Sequence, residues 1–124
     1  MKAVHTFAAI AVAASIALAG PALAHPKLLS ATPADKATAS NVTEAKLVFS
    51  ETLVAPVSGV DLSMAAMPGM AAMKIGGVKT ALGADGKTLV ATFPKLAAGK
   101  YQLDWHAVST DTHRVAGSYS FTVK

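Results

Sequence analysis

The chain has 124 residues, a formal net charge of +4 and no cysteine. That length excludes all but a single ordinary domain. The missing thiols exclude disulfide stapling and thiolate ligation, leaving His, Met, carboxylate and backbone groups for any metal. The lysines are scattered singly, with no interleaved aromatic cluster, which argues against a nucleic-acid partner.

Residues 1–24 begin with Lys2, continue as an apolar run from Phe7 to Ala19 and end in Ala22-Leu23-Ala24. A basic start, a short apolar run and a small-x-small end form the pattern of a cleaved export signal. The run of about 13 residues falls short of the roughly 20 a membrane-crossing helix needs. Residues 1–24 are therefore expected to be a removed signal peptide. Residues 25–124 are expected to form one mature domain, periplasmic and not membrane-spanning.

The mature chain alternates apolar and polar residues more than it repeats with helical period. Lys27–Ser30 is a short strand candidate. Lys46-Leu47-Val48-Phe49-Ser50 places Leu47 and Phe49 on one face, and Val60–Ser63 and Val78–Leu82 are further short candidates. Thr88–Phe93 groups Leu89, Ala91 and Phe93. Tyr101, Leu103, Trp105 and Ala107 alternate with Gln102, Asp104, His106 and Val108. Ser118–Val123 groups Tyr119, Phe121 and Val123. Turn signals at Thr32-Pro33-Ala34-Asp35, Gly76-Gly77, Ala84-Asp85-Gly86-Lys87 and Ala98-Gly99 separate these runs. About seven short strands predict an all-β, antiparallel β-sandwich, with Trp105 and the aromatic residues Phe49, Phe93, Tyr101 and Phe121 in one core.

Two constellations carry chemistry. Cleavage after Ala24 makes His25 a new amino terminus, with a free amine and an imidazole that close one chelate ring on a metal. Asp111 and His113, two apart, project to the same side of an extended segment. An amine and two imidazoles supply three nitrogen donors, and tetragonal nitrogen/oxygen coordination suits Cu²⁺. Pro26 has no amide hydrogen for copper to displace. The competing reading is a histidine left by chance at the cleavage point, with an Asx-type turn at Asp111.

The second constellation is Met64, Met67, Met70 and Met73, all the methionines except the initiator. Thioether is a soft ligand that selects Cu⁺. Methionine at that spacing also serves as a helical core stripe, but Pro68-Gly69 interrupts any helix there, so a flexible loop gathering thioethers is the better expectation. His106 reads as a strand-surface histidine. No nucleophile elbow or glycine-rich phosphate loop occurs, so no catalytic residue is assigned.

These residues resemble the CopC family of PcoC-like periplasmic copper-binding proteins. The resemblance runs through His25-Pro26-Lys27-Leu28, Thr32-Pro33-Ala34, Phe49-Ser50-Glu51 and Met67-Pro68-Gly69-Met70. Its most specific stretch is Asp104-Trp105-x-Ala107-Val108-Ser109-x-Asp111-Thr112-His113, followed by Gly117-Ser118-Tyr119. It implies a Greek-key sandwich or barrel of cupredoxin-related type, similar to an immunoglobulin fold. It also implies a Cu²⁺ site at His25, Asp111 and His113, and a separate Cu⁺ site in the methionine loop. The loop here lacks the family's histidine and is about two residues shorter, so any Cu⁺ site is all-thioether; His106 stands where the family has arginine.

The expected function is a non-enzymatic periplasmic copper carrier of copper resistance and homeostasis, a chaperone that sequesters copper or delivers it to a membrane transporter of the CopD type. The alternative is a mono-oxygenase built on an amino-terminal histidine brace. A third reading is an interaction module in which the histidines are incidental.

Overall fold

The computed structural model describes residues 25–124. The expected signal peptide, residues 1–24, lies outside the described residues. Nine strands run in chain order: β1 (Leu28–Thr32), β2 (Thr38–Ala39), β3 (Glu44–Phe49), β4 (Gly59–Met64), β5 (Met73–Lys74), β6 (Lys79–Leu82), β7 (Thr88–Thr92), β8 (Gly99–Val108) and β9 (Arg114–Val123). One turn of 3-10 helix, Ala55–Val57, precedes β4. No helix among the described residues is long and apolar enough to cross a membrane.

The strands form two sheets. One has the order β1-β3-β7-β6, the other β2-β9-β8-β4-β5. The chain changes sheet five times, at β1–β2, β2–β3, β3–β4, β5–β6 and β7–β8, so strands adjacent in sequence are often partners across the sandwich. All pairings are antiparallel except that of β2 with the end of β9, which is parallel. The expected all-β sandwich is therefore the observed fold.

The alternation read from the sequence is the alternation of burial. Ala45, Leu47 and Phe49 of β3, Leu89 and Ala91 of β7, Leu103 and Tyr101 of β8 and Phe121 of β9 all point between the sheets. Tyr101 stacks on Phe121 with ring centroids 5.8 Å apart, and its hydroxyl donates to the Ala97 carbonyl at 2.7 Å. That bond offsets the cost of burying a phenol in an apolar layer. Trp105 departs from expectation. It is half-buried at the core's margin, edge-on to Phe49 at 5.1 Å, rather than enclosed with the other aromatics.

The two longest strands, β8 and β9, form a ten-pair antiparallel ribbon from Gly99↔Val123 to Val108↔Arg114. Its turn, residues 109–113, emerges at one end of the sandwich. The entry into β1 arrives at that same end, because Leu28 pairs with Phe49 and the segment after Phe49 runs alongside the turn.

Candidate metal centre

Three backbone segments converge at this end. Ser50 N–H donates to the Lys27 carbonyl at 2.9 Å, and the Lys27 amide donates to Ser50 Oγ at 2.9 Å. Pro26 is buried beside them. Leu53 bridges to Ser109, and the Thr110 amide donates to the Thr52 carbonyl at 3.2 Å. The segment after β3 thus grips the start of the described residues on one side and the β8–β9 turn on the other.

This arrangement brings together residues from opposite ends of the described chain. The imidazoles of His25 and His113 meet edge to face with centroids 4.6 Å apart. His25 is exposed, whereas His113 is half-buried. The Nδ1 atom of His113 is itself buried, 3.2 Å from Asp111 Oδ2 but without forming a hydrogen bond.

The turn around Asp111 is tightly determined. The Ser109 amide donates to the His113 carbonyl at 3.1 Å and the Thr112 amide to the Ser109 carbonyl at 2.9 Å. Thr112 takes a left-handed φ of 73°, an uncommon conformation for a β-branched residue. The surrounding hydrogen bonds hold that strained residue between the two candidate ligands. Asp111 Oδ1 accepts from the Ser109 hydroxyl and, at 3.1 Å, from the His113 amide. Those two donors, the Ser109 hydroxyl foremost, lower the Asp111 pKa to about 2. The carboxylate is therefore ionised wherever a metal would bind.

Among the described residues, no three His, Asp or Glu side chains form a metal cage by themselves. The cluster offers two imidazoles and one carboxylate edge. A further nitrogen would have to come from the backbone amine of His25, which is joined to Ala24 in the full sequence.

The methionines occupy a different place. Met64 ends β4 and pairs with Met73 of β5. Met67 and Met70 pair with each other by reciprocal backbone bonds of 3.0 and 2.8 Å, closing a tight turn at Pro68-Gly69 with Gly69 at φ 80°. Proline followed by a left-handed glycine is the combination a type II turn needs. The segment is a β-hairpin, where the sequence suggested a flexible loop. Its side chains also diverge. Met67, Met70 and Met73 are 42, 49 and 53% exposed, whereas Met64 packs against the core. The Met64 methyl lies over Gly99, where it would stand 2.5 Å from any β-carbon.

The hairpin and the histidine pair lie at opposite ends of β8. Met64 pairs with Tyr101, while the 109–113 turn follows Val108. Tyr101 and Val108 are seven residue steps apart along the strand, roughly 23 Å at 3.3 Å per residue. One ion cannot touch both groups.

His106, read as a surface histidine, lies on the outer face of its sheet with its ring against Gly59. Asp104 accepts a 3.0 Å hydrogen bond from Gln102 Nε2. Two residues that build the site carried no assignment from the sequence: Ser50, which pins Lys27, and Ser109, which holds Asp111. The second had a readable signal, a serine two residues before an aspartate at the foot of a hairpin turn.

The CopC domain matches residues 28–124. A copper resistance protein C from Xanthomonas campestris pv. juglandis is 48% identical over 118 residues, covering 93% of this chain and 91% of that one. Copper resistance protein C from Escherichia coli is 43% identical over 108 residues, covering 83% of this chain and 84% of its own. Among solved structures, PcoC, a methionine-rich copper resistance protein from Escherichia coli, matches with a TM-score of 0.74 at 41% identity, over 82% of this chain and 100% of its own. CopC from Methylosinus trichosporium OB3b matches with a TM-score of 0.67 at 27% identity, over 81% and 94%.

Proposed function

This chain belongs to the CopC family, and from that premise we propose that it is a periplasmic copper carrier whose export signal, residues 1–24, is removed to expose His25. Copper is the cargo. Cu²⁺ is held by the amine and imidazole of His25 and by His113, with Asp111 supplying an oxygen donor. The observation that carries this reading is the 4.6 Å meeting of two imidazoles from opposite ends of the chain, beside a carboxylate that stays ionised. Nitrogen donors with one carboxylate oxygen match the preference of Cu²⁺ for tetragonal nitrogen/oxygen sites.

Cu⁺ binds separately, on the thioethers exposed along the β4–β5 hairpin. With no imidazole in the hairpin, that site holds Cu⁺ loosely enough to pass it on, as a carrier serving a membrane transporter of the CopD type requires. The role is carriage rather than catalysis. The Asp111 carboxylate stands beside His113, where a histidine-brace oxygenase would keep a coordination position open.

The test is Cu²⁺ titration of protein beginning at His25 beside a form with one alanine added before it, followed by electron paramagnetic resonance. The processed protein is expected to bind tightly with a nitrogen-rich spectrum. The extended form should lose that spectrum while circular dichroism shows the same sandwich. Identical affinity and spectra in the two forms would remove the amine from the site.

A further inference from the structure

We propose that Ser109 is a positioning residue of the Cu²⁺ site, fixing Asp111 as a one-oxygen donor whose free oxygen faces His113. The proposal rests on the Cu²⁺ reading above. Ser109 is 2% exposed, one of two buried polar residues among those described, the other being Ser58. A buried hydroxyl is costly unless it is hydrogen-bonded. Ser58 has an evident structural use, since its Oγ accepts the Val108 amide at 3.0 Å. Ser109 does not share it. Its own amide and carbonyl are already engaged within the turn, by His113 and Thr112. Its hydroxyl goes instead to the carboxylate of Asp111, an exposed residue.

The pattern of donors gives that contact a consequence. The Ser109 hydroxyl and the His113 amide both point at Oδ1 of Asp111. Two donors occupy the two lone-pair directions of that oxygen. Oδ2 takes neither and lies 3.2 Å from His113 Nδ1. The carboxylate therefore has one oxygen committed to the protein and one presented at the histidine cluster. A metal arriving there meets a single oxygen in a fixed orientation, not a freely rotating, two-oxygen chelate.

Hydrogen bonds that orient metal ligands are commonly worth 10- to 100-fold in affinity. A serine that merely fills the turn would affect folding and leave the metal's ligand field alone. A double-mutant cycle separates these roles. Ser109→Ala, Asp111→Ala and the pair are prepared as protein beginning at His25. Cu²⁺ affinity is measured by chelator competition, the ligand field by electron paramagnetic resonance, and the fold by thermal melting.

Ser109→Ala should weaken Cu²⁺ about 10- to 100-fold and shift the resonance spectrum toward that of Asp111→Ala. Added to Asp111→Ala, it should change neither. Wild-type affinity and spectrum in Ser109→Ala, or an equal further loss in the Asp111→Ala background, would overturn the proposal. Failure of the wild type to bind Cu²⁺ would instead overturn the copper reading beneath it. If Ser109→Ala does not fold, proton resonance decides on folded proteins. A slowly exchanging Ser109 hydroxyl proton should be present in the metal-free wild type and lost in Asp111→Ala, and its absence from the wild type would refute the contact.

Discussion

The indole of Trp105 fills the space that a side chain at residue 117 would need. The two residues are cross-strand partners, and a β-carbon on Gly117 would stand 2.6 Å from Cζ2 of the indole. The missing side chain at residue 117 lets Trp105 lie across β9 while its edge meets Phe49.

Gly117→Ala should therefore push the indole out of its seat, at a cost of about 1–3 kcal/mol from overpacking. Trp105 is the chain's single tryptophan, so its emission reports the displacement directly. Unchanged emission together with an unchanged unfolding midpoint would show that the ring yields without penalty.

Leu103→Ala tests the centre of the core. Leu103 is fully buried on β8 between partners on β4 and β9. Its truncation should cost about 2–5 kcal/mol in chemical denaturation, through lost burial and a residual cavity. A cost under 1 kcal/mol would mean that the sheets close over the gap.

The methionines should separate into two classes. Met67→Leu, Met70→Leu and Met73→Leu together should reduce Cu⁺ uptake in chelator competition while leaving the fold and the Cu²⁺ spectrum as they are. Met64→Ala should instead lower thermal stability, because Met64 packs on the core and over Gly99. Cu⁺ uptake undiminished in the triple variant would detach that ion from the hairpin.

Acid should release copper long before it disturbs the Asp111 turn. Asp111 titrates at about 2 when folded, against 3.8 for the unperturbed group. A depressed folded value means the stabilising contribution is complete above 3.8 and is lost as the pH falls from there through about 2. Copper needs its amine and imidazole donors unprotonated, so it leaves at higher pH. Carbon resonance of the Asp111 carboxyl in metal-free protein should show a midpoint near 2, and one at or above 3.8 would count against the Ser109 and His113 hydrogen bonds.

The long strands were legible because their apolar period survives into the fold. β3, β7, β8 and β9 each bury the face that alternation selected. β2 and β5 were not legible. Each is two residues long and joins its sheet through backbone bonds, so Thr38-Ala39 and Met73-Lys74 leave no side-chain pattern to read. Trp105 shares its parity with Leu103 and Tyr101, yet the opening above Gly117 leaves it at the core's margin. Parity selects a face but not a depth. At the candidate site, residue types pointed to His25, Asp111 and His113. Their proximity depends on Ser50 and Thr52 gripping both segments, and spacing along the chain carries no trace of that grip. The equal intervals among the methionines likewise concealed that Met64 belongs to a strand's inner margin and the other three to exposed positions.

The anchoring of Pro26 and Lys27 also bears on the entropy of metal capture. A free chain end that wraps a metal must give up about 1–2 kcal/mol of backbone freedom for each residue it orders. Here order already extends to Lys27, bonded twice to Ser50, and to the buried Pro26. If the proposed cleavage precedes His25, that residue alone lies beyond the anchor. Capture then restricts about one residue, and release frees no more than that. An ion held at the proposed site would then exchange at this end of the sandwich while the sheets behind it stay folded.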